Sequence, residues 1–546
     1  MCDLRVIFMQ NLFRESGLEQ ASCPEDLGID SVAVENFLKE CLEKDYNFKN
    51  VVIGRFGKIG VKCSKKPYGF SFKYSSFSSS KPLVALAIGF AVNEGLLRLD
   101  TTIEEVFPDR FTEKELEKIR GITVEHLLTM TAGKAINVLK SKEKRDWLDI
   151  FVSGRTIAPP GEKFHYISEY TYVLGRMLTQ VTGLTISDYL NPRLFEPLGI
   201  EKPFWETDSE GYEAGAWGLY WSSDDMAKIA QLFLNHGVWD SVQVVDRNWI
   251  DTMVSPLIDD LHGAYSKGLG FGYQIWADYE GSYYRFEGFF GQYIFVYPKH
   301  DAFIVMQSGD SKQYDIFPLV DKYFPAAFVQ SGAIAVPYER KAHFADFLDS
   351  LSYGILEHGP RNFATEQYLN GKRYKMIKRK YLTMQSVPSS YVFAKQPGKM
   401  DNVSFEFEDD YAVMSWTEKN FGKNELVVSL DGETRYSALN LGQNLTHAAA
   451  YGRWTPDGKL KVQVILIETP EVKSMVFSFG KKRLKMKLKV KTSLNNMVVF
   501  KLLFMGFKIR FFANILGVLG NAVGNLYFYP PVNFGRLKKY EPESEK

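Results

Sequence analysis

Apolar positions recur every three to four residues at Val32, Val34, Phe37, Leu38 and Leu42, which predicts a helix over 28–44. The rhythm then shortens. Val51-Val52-Ile53-Gly54-Arg55-Phe56, a turn at Gly57-Lys58 and Ile59-Gly60-Val61 predict a β-hairpin. A nearly unbroken apolar run from Pro82 to Ile88 predicts a buried helix over 80–97, closing near Gly95. Ile122 to Leu128 starts another helix, with Thr123 as its cap. Further helices are predicted over 170–183 and 223–236, the latter with Ser223-Asp224-Asp225 as its N-cap and acidic first turn. Strands return with Tyr293 to Tyr297, a turn through Pro298-Lys299-His300-Asp301, and Ala302 to Met306. Early strands, a helical middle and late strands imply one antiparallel sheet closed by distant chain segments. This is an α+β (α/β sandwich) fold with an all-helical insertion.

The texture changes after about residue 330. Residues 331–387 read as a connecting segment, and Arg340 to Met384 is polar, basic and without clear period. Residues 388–495 read as a C-terminal β-rich domain, with turns at Asp431-Gly432 and Pro456-Asp457-Gly458. Leu484 to Lys491 alternates apolar and lysine strictly, the period of a half-exposed strand. Residues 496–546 form an apolar, basic tail, in which Phe511 to Gly535 carries no charge. No solenoid or propeller repeat is visible.

At 546 residues the chain is too long for one core. A hydrophobic fraction of 45% and a charged fraction of 24% are ordinary for globular proteins. The net charge of +1 gives no global drive toward nucleic acid. The charge is uneven, however, since no acidic residue lies between Glu471 and Glu541. Cys2, Cys23, Cys41 and Cys63 are irregularly spaced and lack a C-x-x-C pair, and the histidines are scattered. Neither a disulfide framework, a metal nor a cofactor is expected. The first residues lack the features of a signal peptide, which points to the cytoplasm. The basic strand and apolar tail add contact with a membrane surface as a second, weaker expectation beside simple packing.

Ser78-Ser79-Ser80-Lys81 stands at the head of the buried helix. Positions i and i+3 share a helix face, so the Lys81 amine can approach the Ser78 oxygen. A serine needs such a base to become a nucleophile, and burial lowers a lysine pKa toward that role. Its bland alternative is a serine-rich cap with a solvated lysine. A second hydroxyl cluster, Tyr166-Ile167-Ser168, follows Pro160-Gly161 just before the helix from Tyr170. A tyrosine whose pKa is lowered by a nearby ammonium can relay a proton. A third segment, Phe286-Glu287-Gly288-Phe289-Phe290-Gly291, allows the close backbone approach an oxyanion site requires, and equally suits a hairpin kink.

Together these segments resemble the serine hydrolase superfamily of class C β-lactamases, DD-peptidases and related esterases and amidases, over about residues 25–325. Phe77 to Lys81 with Asn93 to Asp100 looks like its nucleophile helix and exit. Leu127 to Gly133, Tyr166-Ile167-Ser168 with Leu174-Gly175-Arg176, and Ala216 to Asp225 are similar to its later landmarks. The resemblance implies that Ser78 is acylated, that Lys81 and Tyr166 share the acid and base work, and that Ser168 hydrogen-bonds within the cluster. It also implies an oxyanion hole from the N–H groups of Ser78 and Phe289, with Gly288, Glu287 and Phe286 at the substrate.

One departure bears on substrate. The family's third motif commonly begins with Lys or His, followed by Ser or Thr and then Gly, whereas here it reads Phe286-Glu287-Gly288. No cation stands there to grip a substrate carboxylate, and Glu287 adds negative charge. An esterase or amidase acting on a small neutral or cationic substrate fits better than a penicillin-binding peptidase or β-lactamase. A silent binding scaffold is the third reading.

Overall fold

The computed structural model describes residues 18–135, 146–259, 268–329, 332–377, 382–385, 399–491 and 532–537. The first body begins with helix α1 (Ser31–Glu43), capped by the Asp30 carboxylate. The hairpin β1 (Phe48–Arg55) and β2 (Lys58–Ser64) follows. Next come helices α2 (Lys81–Asn93), α3 (Ser168–Thr182) and α4 (Ser223–Leu234). The sheet is completed by β3 (Ile258–Asp259), β4 (Leu269–Phe271), β5 (Trp276–Asp278), β6 (Tyr284–Gly288), β7 (Gln292–Tyr297) and β8 (Ala302–Ser308). Its order is β3-β4-β5-β6-β7-β8-β1-β2, antiparallel throughout. Late strand β8 pairs with early strand β1, as the sequence pattern requires.

The alternation of each strand feeds two separate cores. Val52, Phe303 and Val305 face the core that holds α2, α3 and α4. Val51, Ile53, Ile304 and Met306 face the opposite core, beneath α1. Two helix starts differ from expectation. Helix α3 begins at Ser168, two residues early. Helix α4 is capped by Ser222, whose hydroxyl accepts from the Asp225 N–H at 3.1 Å while Asp225 accepts from the Ser222 N–H. Ser223, expected as the cap, is instead buried and donates to Gln307 at 2.5 Å.

The polar stretch after residue 330 contains regular structure. Helix α5 (Tyr338–Ser350) lies on α1 through Arg340 to Glu35 at 2.5 Å, and buries Phe344 in the second core. A short helix, α6 (Phe363–Leu369), leads to β9 (Arg373–Met376). Then follow β10 (Met400–Phe407), β11 (Tyr411–Glu418), β12 (Gly422–Ser429), β13 (Tyr436–Asn440), β14 (Leu445–Trp454), β15 (Leu460–Leu466), β16 (Val472–Phe479), β17 (Arg483–Val490) and β18 (Val532–Leu537). They form one ten-stranded sheet, β12-β11-β10-β9-β18-β17-β16-β15-β14-β13. Parallel pairing of β12 with β14 closes it into a barrel. Aromatic and Met side chains such as Phe405, Met414, Trp416, Phe477 and Met486 fill the interior. Of the apolar tail, only β18 falls within the described residues, where it is a strand between β9 and β17. The expected membrane contact through the rest of the tail lies outside them. Among the described residues no helix is long and apolar enough to cross a membrane.

The barrel is fastened to the first body close to the serine cluster. Tyr68, Phe72 and Tyr74 pack with Tyr451, Ile465 and Ile467 of the barrel. Buried Lys49 on β1 donates to the carbonyls of Ile467 and Thr469 at 2.8 and 2.6 Å. The Ser75 N–H, three residues before Ser78, donates to the Glu468 carbonyl at 2.9 Å.

Candidate active site

Ser78 lies in a 3-10 turn, Phe77–Ser80, that runs directly into α2. Phe77 holds the left-handed conformation, with φ of 48°, a strained geometry for a bulky residue. Its ring is clamped by Phe289 and Phe290, at centroid distances of 6.2 and 5.3 Å. The Ser76 N–H donates to the Leu219 carbonyl at 2.9 Å. The Ser80 hydroxyl donates to the Gly215 carbonyl at 2.8 Å. The turn is thus fixed from three sides.

Lys81 is 1% exposed. Its Nζ lies 2.6 Å from Ser78 Oγ, donates to the Ala216 carbonyl at 2.9 Å, and sits 5.1 Å from the Tyr166 ring centroid. Burial lowers its pKa to about 7, only partly opposed by the charge of Glu169. Near neutral pH a large share of the amine is therefore unprotonated and able to accept the Ser78 proton.

Tyr166 also hydrogen-bonds Ser78. Its ring stacks on Trp276 at 6.1 Å and meets the Phe271 edge. Burial against these rings raises its pKa, against the expectation of a lowered one. The negative charge of Glu287 adds to the rise. The phenol keeps its proton near neutrality and serves as a donor rather than as a phenolate. Ser168 is the first residue of α3, and both hydrogen bonds of the Lys81 amine go elsewhere, to Ser78 and Ala216.

The end of β6 closes the other side. A Cβ on Gly288 would lie 2.3 Å from the Ser76 carbonyl oxygen and 3.1 Å from the Ser79 nitrogen. Only glycine lets the strand approach the serine turn this closely. Phe289 follows at the hairpin, and the Phe290 N–H donates to Gln313 at 2.5 Å, anchoring that turn. Ser78, Lys81, Tyr166, Gly288 and Phe289 are brought together.

Two expectations for this strand need correction. Phe286 is fully buried, edge-on to Phe233 of α4 at 5.0 Å, because it occupies the core-facing phase of β6. It cannot line a substrate site. Glu287 points into the opposite phase and pairs with Arg285 at 3.1 Å, whose guanidinium lies 4.1 Å from the Phe317 ring centroid. Arg285 partly offsets the charge of Glu287, which still acts on Tyr166.

Sequence reasoning missed the Ala216 carbonyl, the Trp276 platform, the Gln313 anchor and the strained Phe77. A backbone acceptor has no side-chain signature. The other three are distant in sequence or conformational, and no local pattern marks them.

Residues 52–315, just under half of the chain, match the Beta-lactamase family model. The chain is 31% identical over 134 residues to "Penicillin-binding protein 4" of Amycolatopsis lactamdurans, a match covering 24% of this chain and 35% of that protein. It is 29% identical over 147 residues to "Acyltransferase mokF" of Monascus pilosus, covering 22% and 35%. It is 27% identical over 165 residues to "Lovastatin esterase" of Penicillium rubens, covering 25% and 38%. The matched stretches thus span little more than a third of these relatives' length.

Proposed function

We propose that this chain carries a serine hydrolase domain of the β-lactamase-related superfamily and cleaves an ester or amide through an acyl-enzyme on Ser78. The observation that carries the reading is the buried Lys81 amine, lowered to about 7, at 2.6 Å from the Ser78 hydroxyl. Neutral Lys81 takes the Ser78 proton as Oγ attacks the carbonyl carbon. The N–H groups of Ser78 and Phe289 stabilise the oxyanion that forms. The tetrahedral intermediate collapses as the leaving oxygen or nitrogen receives a proton from the Lys81–Tyr166 pair. Water then attacks the acyl carbonyl, its proton passing to the same pair, and Ser78 is restored.

We favour a neutral or cationic substrate with an apolar group. The Phe286-Glu287-Gly288 motif holds no lysine or histidine to grip a substrate carboxylate, and Phe289, packed on Phe77 beside Ser78, supplies aromatic surface. The names of the esterase and acyltransferase relatives agree with acyl transfer to and from a serine. The penicillin-binding relative keeps a second reading in view, in which Ser78 forms a lasting adduct with a β-lactam.

Labelling with a fluorophosphonate probe and a fluorescent penicillin, on the native protein and Ser78→Ala, tests the proposal. Fluorophosphonate labelling that disappears in Ser78→Ala, without penicillin labelling, is expected. Stable penicillin labelling at Ser78 moves the reading to penicillin binding. Absence of both labels, in a protein that remains folded, overturns the hydrolase reading.

A further inference from the structure

The outer face of the barrel carries a charge pattern that folding alone does not explain. Three direct cross-strand pairs set like charges against each other: Arg453 opposite Lys461, Arg483 opposite Arg536, and Arg536 opposite Lys375. Cations at facing positions of neighbouring strands repel and destabilise a sheet. Among the described residues none of these five has a carboxylate ion-pair partner, although the chain as a whole is nearly neutral. Asp457, the acid nearest to Arg453 along the chain, is tied to Lys459.

The pattern extends along β17, where Lys485, Lys487 and Lys489 are all exposed while Leu484, Met486 and Leu488 point into the barrel. Arg453, Lys461, Lys485 and Lys487 border an open groove of about 780 Å³. Beside these cations lie two exposed apolar side chains, Phe534 at 41% and Ile377 at 48%. They are neighbours on adjacent strands, joined by the Ile377 N–H donating to the Phe534 carbonyl at 2.8 Å.

We propose that this face of the barrel docks on an anionic phospholipid membrane surface. Lipid phosphates would neutralise the facing cations, and Phe534 and Ile377 would reach the apolar boundary beneath the headgroups. Charge complementarity alone would also suit a nucleic acid. The apolar pair decides between them, because a phosphate backbone returns nothing for covering Phe534 and Ile377. The chain between β17 and β18 argues the same way. It leaves after Lys491 and returns at Val532, opposite Lys487, and its sequence over 492–531 has no acid and is rich in Phe, Leu and Val.

The test is flotation of the full chain with vesicles of phosphatidylcholine, with and without phosphatidylserine, at low and high salt. Binding that requires phosphatidylserine and falls with salt is expected. The combined variant Lys485→Gln, Lys487→Gln, Lys489→Gln should weaken it roughly 100-fold, at about fivefold per cation removed. Arg536→Gln supplies an independent signature: it should raise Tm by relieving two repulsions while weakening vesicle binding. Failure of the native chain to bind phosphatidylserine vesicles overturns the proposal. So does equal binding to both vesicle types, unchanged binding by the combined variant, or binding of a DNA duplex in preference to vesicles. Fluorophosphonate labelling of Ser78 is unaffected by any of these outcomes, so the docking and hydrolase readings fail separately.

Discussion

Lys81 sits where a charged amine is hardest to keep, enclosed by protein and holding only Ser78 and the Ala216 carbonyl. An exposed lysine releases its proton near pH 10.4. Burial brings Lys81 to about 7, so its neutral form grows as pH rises through that value. We expect kcat/KM for an ester substrate to rise through about pH 7 in a pH–rate profile. Lys81→Met should lower it by roughly 10²–10⁴-fold, the range of a lost general base. The sign of the stability effect follows from the same shift. Between about pH 7 and 10.4 the unfolded chain binds the proton and the fold does not, so this residue's contribution to stability rises with pH across that window. Lys81→Met should therefore raise Tm at pH 6, where the buried ammonium is most costly. Tyr166→Phe keeps the Trp276 stack and loses the phenol, so activity should drop by about 10²-fold with Tm unchanged.

Among the elements, β6 and the Phe77–Ser80 turn are the pair whose spacing matters most. Gly288→Ala forces a methyl against the Ser76 carbonyl, so we expect a loss of roughly 1–3 kcal/mol in stability and near-complete loss of Ser78 labelling. Urea unfolding and the fluorophosphonate probe read the two effects. Elements with a strong period were legible in the sequence. The β1–β2 and β7–β8 hairpins and the buried helix behind Ser78 bury the faces their patterns mark, while α1 buries Val34, Phe37 and Leu38 and leaves Val32 and Leu42 exposed. Helix α5 was missed because its apolar face is short, Phe344, Phe347 and Leu348 with only the first fully buried, within an otherwise polar stretch. Strand β18 was missed because its pattern is inverted: Asn533 and Gly535 face inward and Phe534 faces outward. The serine cluster was legible because Ser78 and Lys81 are three residues apart. Tyr166, Gly288 and Phe289 needed the resemblance to be placed beside them, and the side-chain direction of Phe286 needed the strand register.

For the whole molecule, the barrel and the first body are coupled through the loop at 467–470. Lys49 ties that loop to β1, and Glu468 holds the Ser75 backbone just ahead of the serine turn. Burial also lowers Lys49 to about 7, so at pH 8 its amine is largely neutral and removing it relieves little buried charge. Lys49→Ala at that pH leaves two carbonyls without a donor, and we expect it to cost roughly 2–4 kcal/mol in urea unfolding. Ser78 labelling should fall in the same variant while the distant Arg536→Gln leaves it unchanged. A barrel merely tethered to the first body would lose stability without altering the label.

The most direct test of the central claim is intact-protein and peptide mass spectrometry on enzyme quenched during turnover of a p-nitrophenyl ester. We expect the added mass of the acyl group on the peptide bearing Ser78, accumulating in the native chain and absent in Ser78→Ala. Ester cleavage with no acyl mass on Ser78, or an adduct on another residue, would contradict the account.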